Sequence, residues 1–154
     1  MEDIAMSIKQ VMAQDHKRCD DVFVQAEYHA SKKEWPQAIE LIKKFRDMTI
    51  YHFSHEESTL FPAFENATGI AQGPTMVMRS EHEQMRDLLD QLVNAAEQQD
   101  KDEFLGTCET FHIFNQQHNM KEEQVLYPMI DQHCGQNSEQ LLQNIIQNID
   151  TNAA

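Results

Sequence analysis

Residues 52–62 read His52-Phe53-Ser54-His55-Glu56-Glu57-Ser58-Thr59-Leu60-Phe61-Pro62, and residues 118–128 read His118-Asn119-Met120-Lys121-Glu122-Glu123-Gln124-Val125-Leu126-Tyr127-Pro128. The two stretches align without a gap at an offset of 66, which keeps His, Glu, Glu, Leu and Pro in register. The same offset lays Asp15-His16 on Glu81-His82 and Asp21-Val22-Phe23 on Asp87-Leu88-Leu89. Repetition at one fixed offset governs how every later motif is read. Here it makes the chain two copies of one helical hairpin.

The spacing gives the architecture. His16 to His52 and His82 to His118 are both 36 residues, so histidines at one height in antiparallel helices require turns near residues 34, 67 and 100. Those points fall in Ser31-Lys-Lys-Glu-Trp-Pro36, Asn66-Ala-Thr-Gly69 and Gln98-Gln-Asp-Lys-Asp102, where breakers or unbroken polarity interrupt the apolar rhythm. Helical stripes run through Ile4, Ile8, Met12, His16, Cys19 and Phe23, then through Ile42, Phe45, Thr49, His52, Glu56 and Leu60. The third helix offers Met78, His82, Met85, Leu89 and Leu92; the fourth offers Phe111, Asn115, His118, Glu122, Val125 and Met129. The expected fold is all-α, an antiparallel up-down-up-down four-helix bundle over about residues 3–133, within a single domain spanning 1–154. Each histidine stands about 18 residues from its turn, about 27 Å along the helix, which places all four deep inside the bundle.

Beyond the bundle, Gly135 is read as a helix stop and Ser138 as the cap of a short amphipathic fifth helix over about 138–149. That helix carries Leu141, Leu142, Ile145, Ile146 and Ile149, an apolar face that must be buried. It packs on the chain's own bundle or forms a contact with a second copy or another protein.

Composition narrows the function classes. The 154 residues hold only four glycines and four prolines, which favours long helices over a sheet with many turns. A formal charge of −14 removes counterion release as a source of nucleic-acid binding and repels an anionic membrane. No apolar run approaches the ~20 residues of a spanning helix. The start, MEDIAMSIKQ, lacks a basic segment followed by an apolar one, and Cys19, Cys108 and Cys134 form no C-x-x-C pair. A cytoplasmic location with free thiols is expected.

The anomaly is histidine, eight in all. His16, His52, His82 and His118 converge at one level with Glu56 and Glu122. In each His-x-x-x-Glu pair the glutamate lies one turn on and only about 40° round the helix, so both side chains reach a common point. Without a cation, two carboxylates and four imidazoles in an apolar core leave lone pairs unsatisfied at about 1–3 kcal/mol each, more for the charged groups. Two cations remove that cost. Imidazole and carboxylate without thiolate suit iron or manganese better than structural zinc, and iron is the preferred assignment. Six ligands exceed what one closed tetrahedral ion takes and fall short of saturating two six-coordinate ones, so positions stay open for a small ligand.

At these residues the sequence resembles the hemerythrin-like, or histidine-histidine-glutamate cation-binding, family over roughly residues 8–132. The strongest pieces are residues 52–62, Glu81-His82-Glu83 and residues 118–128. The resemblance implies a non-haem di-iron centre in a four-helix bundle, with Glu56 and Glu122 bridging the irons. It also implies one of several activities: reversible dioxygen binding, sensing of oxygen or iron, or repair of damaged iron–sulfur centres. Two departures bear on which. Dioxygen carriers have a fifth histidine four residues from the one on the third helix, where this chain has Met78 and Arg86 around His82, and they end the last motif as His-x-x-x-x-Asp rather than His-x-x-x-Glu. Repair relatives carry an added N-terminal domain with paired cysteines, which this sequence does not show.

The leading expectation is therefore a di-iron protein that binds dioxygen or a related diatomic such as nitric oxide as carrier, buffer or sensor. The alternative is a redox role in peroxide reduction, iron handling or iron–sulfur repair, and whether the chain is an enzyme is left open. His55 is read as surface or next to the ligands, His29, His112 and His133 as solvated or capping, and Cys19 as core filler. Glu57 and Glu123 are assigned no metal role, while Leu60, Phe61, Leu126 and Tyr127 are expected to pack around the site.

Overall fold

The computed structural model describes residues 6–135 together with 140, 141, 143 and 145. Four helical rods make up the described part. Helix α1 (Ile8–Ser31) is followed by α2 (Trp35–His55), which runs through a π-helical turn (Glu56–Leu60) into α3 (Phe61–Thr68). The second copy repeats this with α4 (Pro74–Glu97), α5 (Lys101–Lys121), a π-turn (Glu122–Leu126) and α6 (Tyr127–His133). No strand occurs among the described residues.

Local chemistry sets the rod ends. Ser7 opens α1 with a reciprocal pair: its Oγ accepts from Gln10 N at 3.1 Å while Gln10 Oε1 accepts from Ser7 N at 2.9 Å. Two of the helix's remaining free amides, Ile8 N and Lys9 N, donate to Asp131 at 2.9 and 3.2 Å, which ties the start of the first rod to the last one. Asp100 caps α5 by accepting from Glu103 N at 3.1 Å, and Pro36 and Pro74 stand in first turns, where a missing N–H costs no helix bond. The turns at 32–34 and 98–100 each use a residue of positive φ, Lys33 at 58° and Gln99 at 56°. These positions are 66 apart, so the repeat extends to turn geometry. The middle turn lies later than the spacing suggests: α3 continues to Thr68, Gly69 closes it in the left-handed conformation at φ 73°, and the chain reverses over 69–73.

Helix α1 packs on α2 and α5, and α4 packs on α5 and α2. Two apolar clusters fill the interior. One, around Phe23, Trp35, Phe45, Phe104 and Phe111, lies toward the turns at 32–34 and 98–100. The other joins Ile8, Met12, Leu60, Phe64, Leu126 and Ile130. The conserved-offset histidines fall between them, His16 for instance between Met12 and Cys19. The predicted fifth helix lies largely outside the described residues, but Ile145 is fully buried in the second cluster and Leu141 packs against it.

One stripe assignment fails. Val125, placed on the inner face by a regular helical period, is 52 % exposed, whereas Leu126 is 1 % exposed. The π-turn is the cause: one extra residue per turn carries Val125 outward and brings Leu126 and Tyr127 in.

Candidate metal centre

All six expected residues meet in the interior. His16 is 7 % exposed, His52 3 %, His118 1 %, and His82, Glu56 and Glu122 are 0 %. Their inward atoms fall into two groups that share Glu122. Glu56, His82, His118 and Glu122 form one; His16, His52 and Glu122 form the other, with the donor atoms of each group within 4.8 Å of one another. Closest approaches across the centre are His16 Nε2 to Glu122 Oε1 at 3.2 Å, His118 Nε2 to the same oxygen at 3.3 Å, and His82 Nε2 to Glu56 Oε1 at 3.2 Å. Donor atoms about 2.1 Å from a common ion, at angles of 90–110°, stand about 3.0–3.4 Å apart.

Four more carboxylates fix the rings from outside. His52 Nδ1 meets Asp15 Oδ2 at 2.7 Å, and its repeat mate His118 Nδ1 meets Glu81 Oε1 at 2.9 Å. His16 Nδ1 meets Glu123 Oε2 at 2.7 Å, and its mate His82 Nδ1 meets Glu57 Oε2 at 2.6 Å. With every Nδ1 held by an outer carboxylate, every Nε2 is aimed inward, where a cation would select the tautomer that donates Nδ1–H outward, and the carboxylate raises the ring's basicity. Asp15 and Glu81 carry no site role in the sequence reading, although each directly precedes an inward-facing histidine in the repeat, which is the signal for them. Glu57 and Glu123 prove to be hydrogen-bond partners of His82 and His16.

Charge in this space is unbalanced. Burial pulls the imidazoles down, but Glu122 and Glu123 outweigh it and push His16 up to about 10, and Glu122, Glu56 and Glu57 push His82 up to about 11. His118 is raised as well, by Glu122 against burial. Burial and the neighbouring Glu122 raise Glu56, while Glu122 itself is held well below the carboxylate range against burial, by His118 first. Outside, burial opposes ionisation of Asp15, yet His52 and Arg18 hold it near 2; His82 and Arg86 hold Glu57 near 2 in the same way.

Tyr127, expected as packing, stands in the centre. Its Oη lies 2.6 Å from Glu56 Oε2 and 2.9 Å from Glu122 Oε1, and one phenolic proton can serve only one of them at a time. Burial and these two carboxylates raise its pKa well above the usual phenol value. The π-turn places it there, because Tyr127 N–H bonds to Glu122 O five residues back; Phe61 N–H does the same to Glu56 O. Pro62 and Pro128, which follow those residues, have no N–H for a regular i−4 bond, and they are the sequence mark of the irregular turns. Phe61 stacks on His82 at 5.7 Å between ring centroids, and Phe53 stacks on the same ring at 3.8 Å.

The remaining histidines stay out of both groups. His55 is buried rather than at the surface, edge-on to Tyr51 at 4.7 Å, and burial holds it below the ordinary imidazole value. The three thiols of Cys19, Cys108 and Cys134 are free and buried, and burial raises each of them. A cavity of about 20 Å³, room for a single water, lies among His16, Cys19, Asp20, Thr49, His52 and Asn115.

Among the described residues, Glu56 Oε1, His82 Nε2, His118 Nε2 and Glu122 Oε2 are buried with no hydrogen-bond partner. Four orphaned donor atoms converging in one apolar core are what a cation site leaves when the ion is set aside, since buried polar groups are otherwise paired. The profile of the family described as the hemerythrin HHE cation-binding domain matches residues 7–130. The chain belongs to that hemerythrin family. Searches of curated proteins and of solved structures gave no match. In this hemerythrin HHE domain the matched span contains all four ring-fixing carboxylates, both π-turns and Tyr127 as well as the six inward residues. Among the described residues, no helix is long and apolar enough to cross a membrane.

Proposed function

We propose that this hemerythrin HHE domain holds two non-haem irons and binds dioxygen or a related diatomic such as nitric oxide, as a carrier, buffer or sensor. The observation that supports it is the convergence of six buried imidazole and carboxylate groups in two sets joined by Glu122, with Glu56 Oε1, His82 Nε2, His118 Nε2 and Glu122 Oε2 left without a hydrogen-bond partner. His16 and His52 would hold one ion, His82, His118 and Glu56 the other, with Glu122 common to both. Bound there, a pair of irons supplies reversible binding of a diatomic at coordination positions the protein leaves free. Asp15, Glu81, Glu57 and Glu123 fix the ring tautomers, so that Nε2 rather than Nδ1 faces inward. Phe53, Phe61 and the two apolar clusters exclude bulk water from the centre.

The reading also takes the rods as one up-down-up-down domain, supported by the pairing of α1 with α2 and of α4 with α5 across turns of three residues. A cytoplasmic location is supported by three free, buried thiols. A second reading, redox use of the same centre in peroxide reduction, iron handling or iron–sulfur repair, is favoured by the four outer carboxylates, whose negative charge stabilises higher oxidation states. Metal analysis with anaerobic and aerobic absorption spectra separates these. The first reading expects two irons per chain and an oxygen-dependent band that reverses on deoxygenation; irreversible bleaching with peroxide turnover supports the second. Absence of bound metal overturns both.

A further inference from the structure

We propose that Tyr127 is a seventh protein ligand, bound through Oη to the ion of the His16–His52 group. The proposal rests on the di-iron reading and deepens it, because it makes the two ions chemically unequal.

The geometry is that of a donor already in a coordination shell. Tyr127 Oη lies 3.3 Å from His16 Nε2, 3.3 Å from His52 Nε2, 2.9 Å from Glu122 Oε1 and 2.6 Å from Glu56 Oε2. Three of these four are close to the separation expected between neighbouring ligands of one ion, and the fourth is slightly shorter. As a donor the hydroxyl serves one of the two carboxylates at a time, since it has one proton, and both Nε2 atoms stand at 3.3 Å, the separation of neighbouring ligands. The His16–His52 group is also the one that needs a ligand. It gathers three donor atoms from the six expected residues, whereas the His82–His118 group gathers four.

The repeat sharpens the point, because its other copy lacks the oxygen. Tyr127 aligns with Phe61, which is delivered by the same π-turn and lies against the His82 ring at 5.7 Å and 22°. An apolar ring at that position coordinates nothing. With Tyr127 added, each group offers four protein donors, and the two differ in kind: one would carry a phenolate, the other faces the apolar rings of Phe61 and Phe53. Ligation replaces the Tyr127 O–H bond with a bond from oxygen to ferric iron. The proton leaves to solvent and no electron is transferred.

The test uses the full chain, stripped of metal, reloaded with ferrous iron and oxidised with ferricyanide. The loaded ferric protein is expected to show a phenolate-to-iron charge-transfer band, with tyrosinate ring modes in the resonance Raman spectrum excited within it. Tyr127→Phe, which installs the residue of the other copy, is expected to keep iron but lose the band and the modes entirely. Ferric protein with two irons and no tyrosinate modes overturns the ligand assignment and leaves the di-iron reading standing. So does Tyr127→Phe with an unchanged spectrum. Failure of the wild-type chain to take up iron overturns the di-iron reading itself. The spectrum of the wild-type protein decides the matter even where Tyr127→Phe does not fold.

Discussion

The two copies of the hairpin agree where imidazoles are held and differ where the centre meets its surroundings. Asp15 and Glu81 serve equivalent rings, as do Glu123 and Glu57, all within 2.6–2.9 Å. Next to these, the copies part. Arg86 grips Glu57 at 2.9 Å and lies over Phe53, whereas the position 66 residues earlier is Asp20, whose carboxylate accepts from Asn115 at 3.2 Å. Thr49 and Phe53 are answered by Asn115 and Asn119, and the small cavity is lined by all four of these residues together with His16 and Asp20. The lesson is that the positions that fix the inward rings are the same in both copies, while the residues beyond the rings differ: Arg86 pairs with Glu57 in one, and Asp20 with Asn115 in the other.

The largest expected effect follows from the carboxylate common to both groups. Glu122→Ala should abolish binding of both ions, whereas Glu56→Ala should weaken the His82–His118 ion first; metal content per chain after dialysis distinguishes them. Equal loss in the two variants would mean that the groups are not separable. Next in size is the pH dependence of the metal-free protein. His16 and His82 have folded values raised to about 10 and 11, so the stability they contribute is complete below about 6.5 and is lost as pH rises through those values. Asp15 and Glu57 are depressed to about 2, so their contribution is present above about 4.5 and is lost as pH falls toward 2. Thermal melts of the metal-free chain should therefore peak between about pH 4.5 and 6.5. The loaded chain should lack the alkaline decline, because its imidazoles are already neutral ligands.

The π-turns offer a test by packing. Leu126→Ala should cost about 2–5 kcal/mol and Val125→Ala no more than about 0.5, by urea denaturation. The reverse order would restore a regular helix through Glu122. A smaller effect is expected outside the rings, where Asp15→Asn and Glu81→Gln should each weaken metal binding about 10–100-fold. Glu57→Gln should exceed Glu123→Gln, because it releases Arg86 as well as His82. Competition against a chelator measures all four.

The offset of 66 makes the four rods, their inward histidines and both glutamates legible in the sequence, because a repeat and a helical period leave few other arrangements. Its limit was the assumption of one constant period. A period of 3.6 residues carried through Glu122 puts Val125 inside and leaves Tyr127 as packing, whereas the backbone there winds more loosely. Pro62 and Pro128 carried the warning. Asp15 and Glu81 escaped notice for another reason: an acid beside a histidine on a helix reads as a solvated neighbour, and only the crossing of a second helix shows it reaching the next histidine, 37 residues away in each copy. The middle turn shifted by a few residues because α3 and α6 extend beyond the point where equal arms would end.

The three buried thiols give the bundle a built-in clock. Cys19 adjoins the centre, Cys108 lies in the core toward the tight turns, and Cys134 lies in the core at the opposite end. An alkylating reagent reaches each only when its own level opens, so the order in which the three are labelled reports where this molecule breathes first and whether cation binding slows that opening locally or throughout.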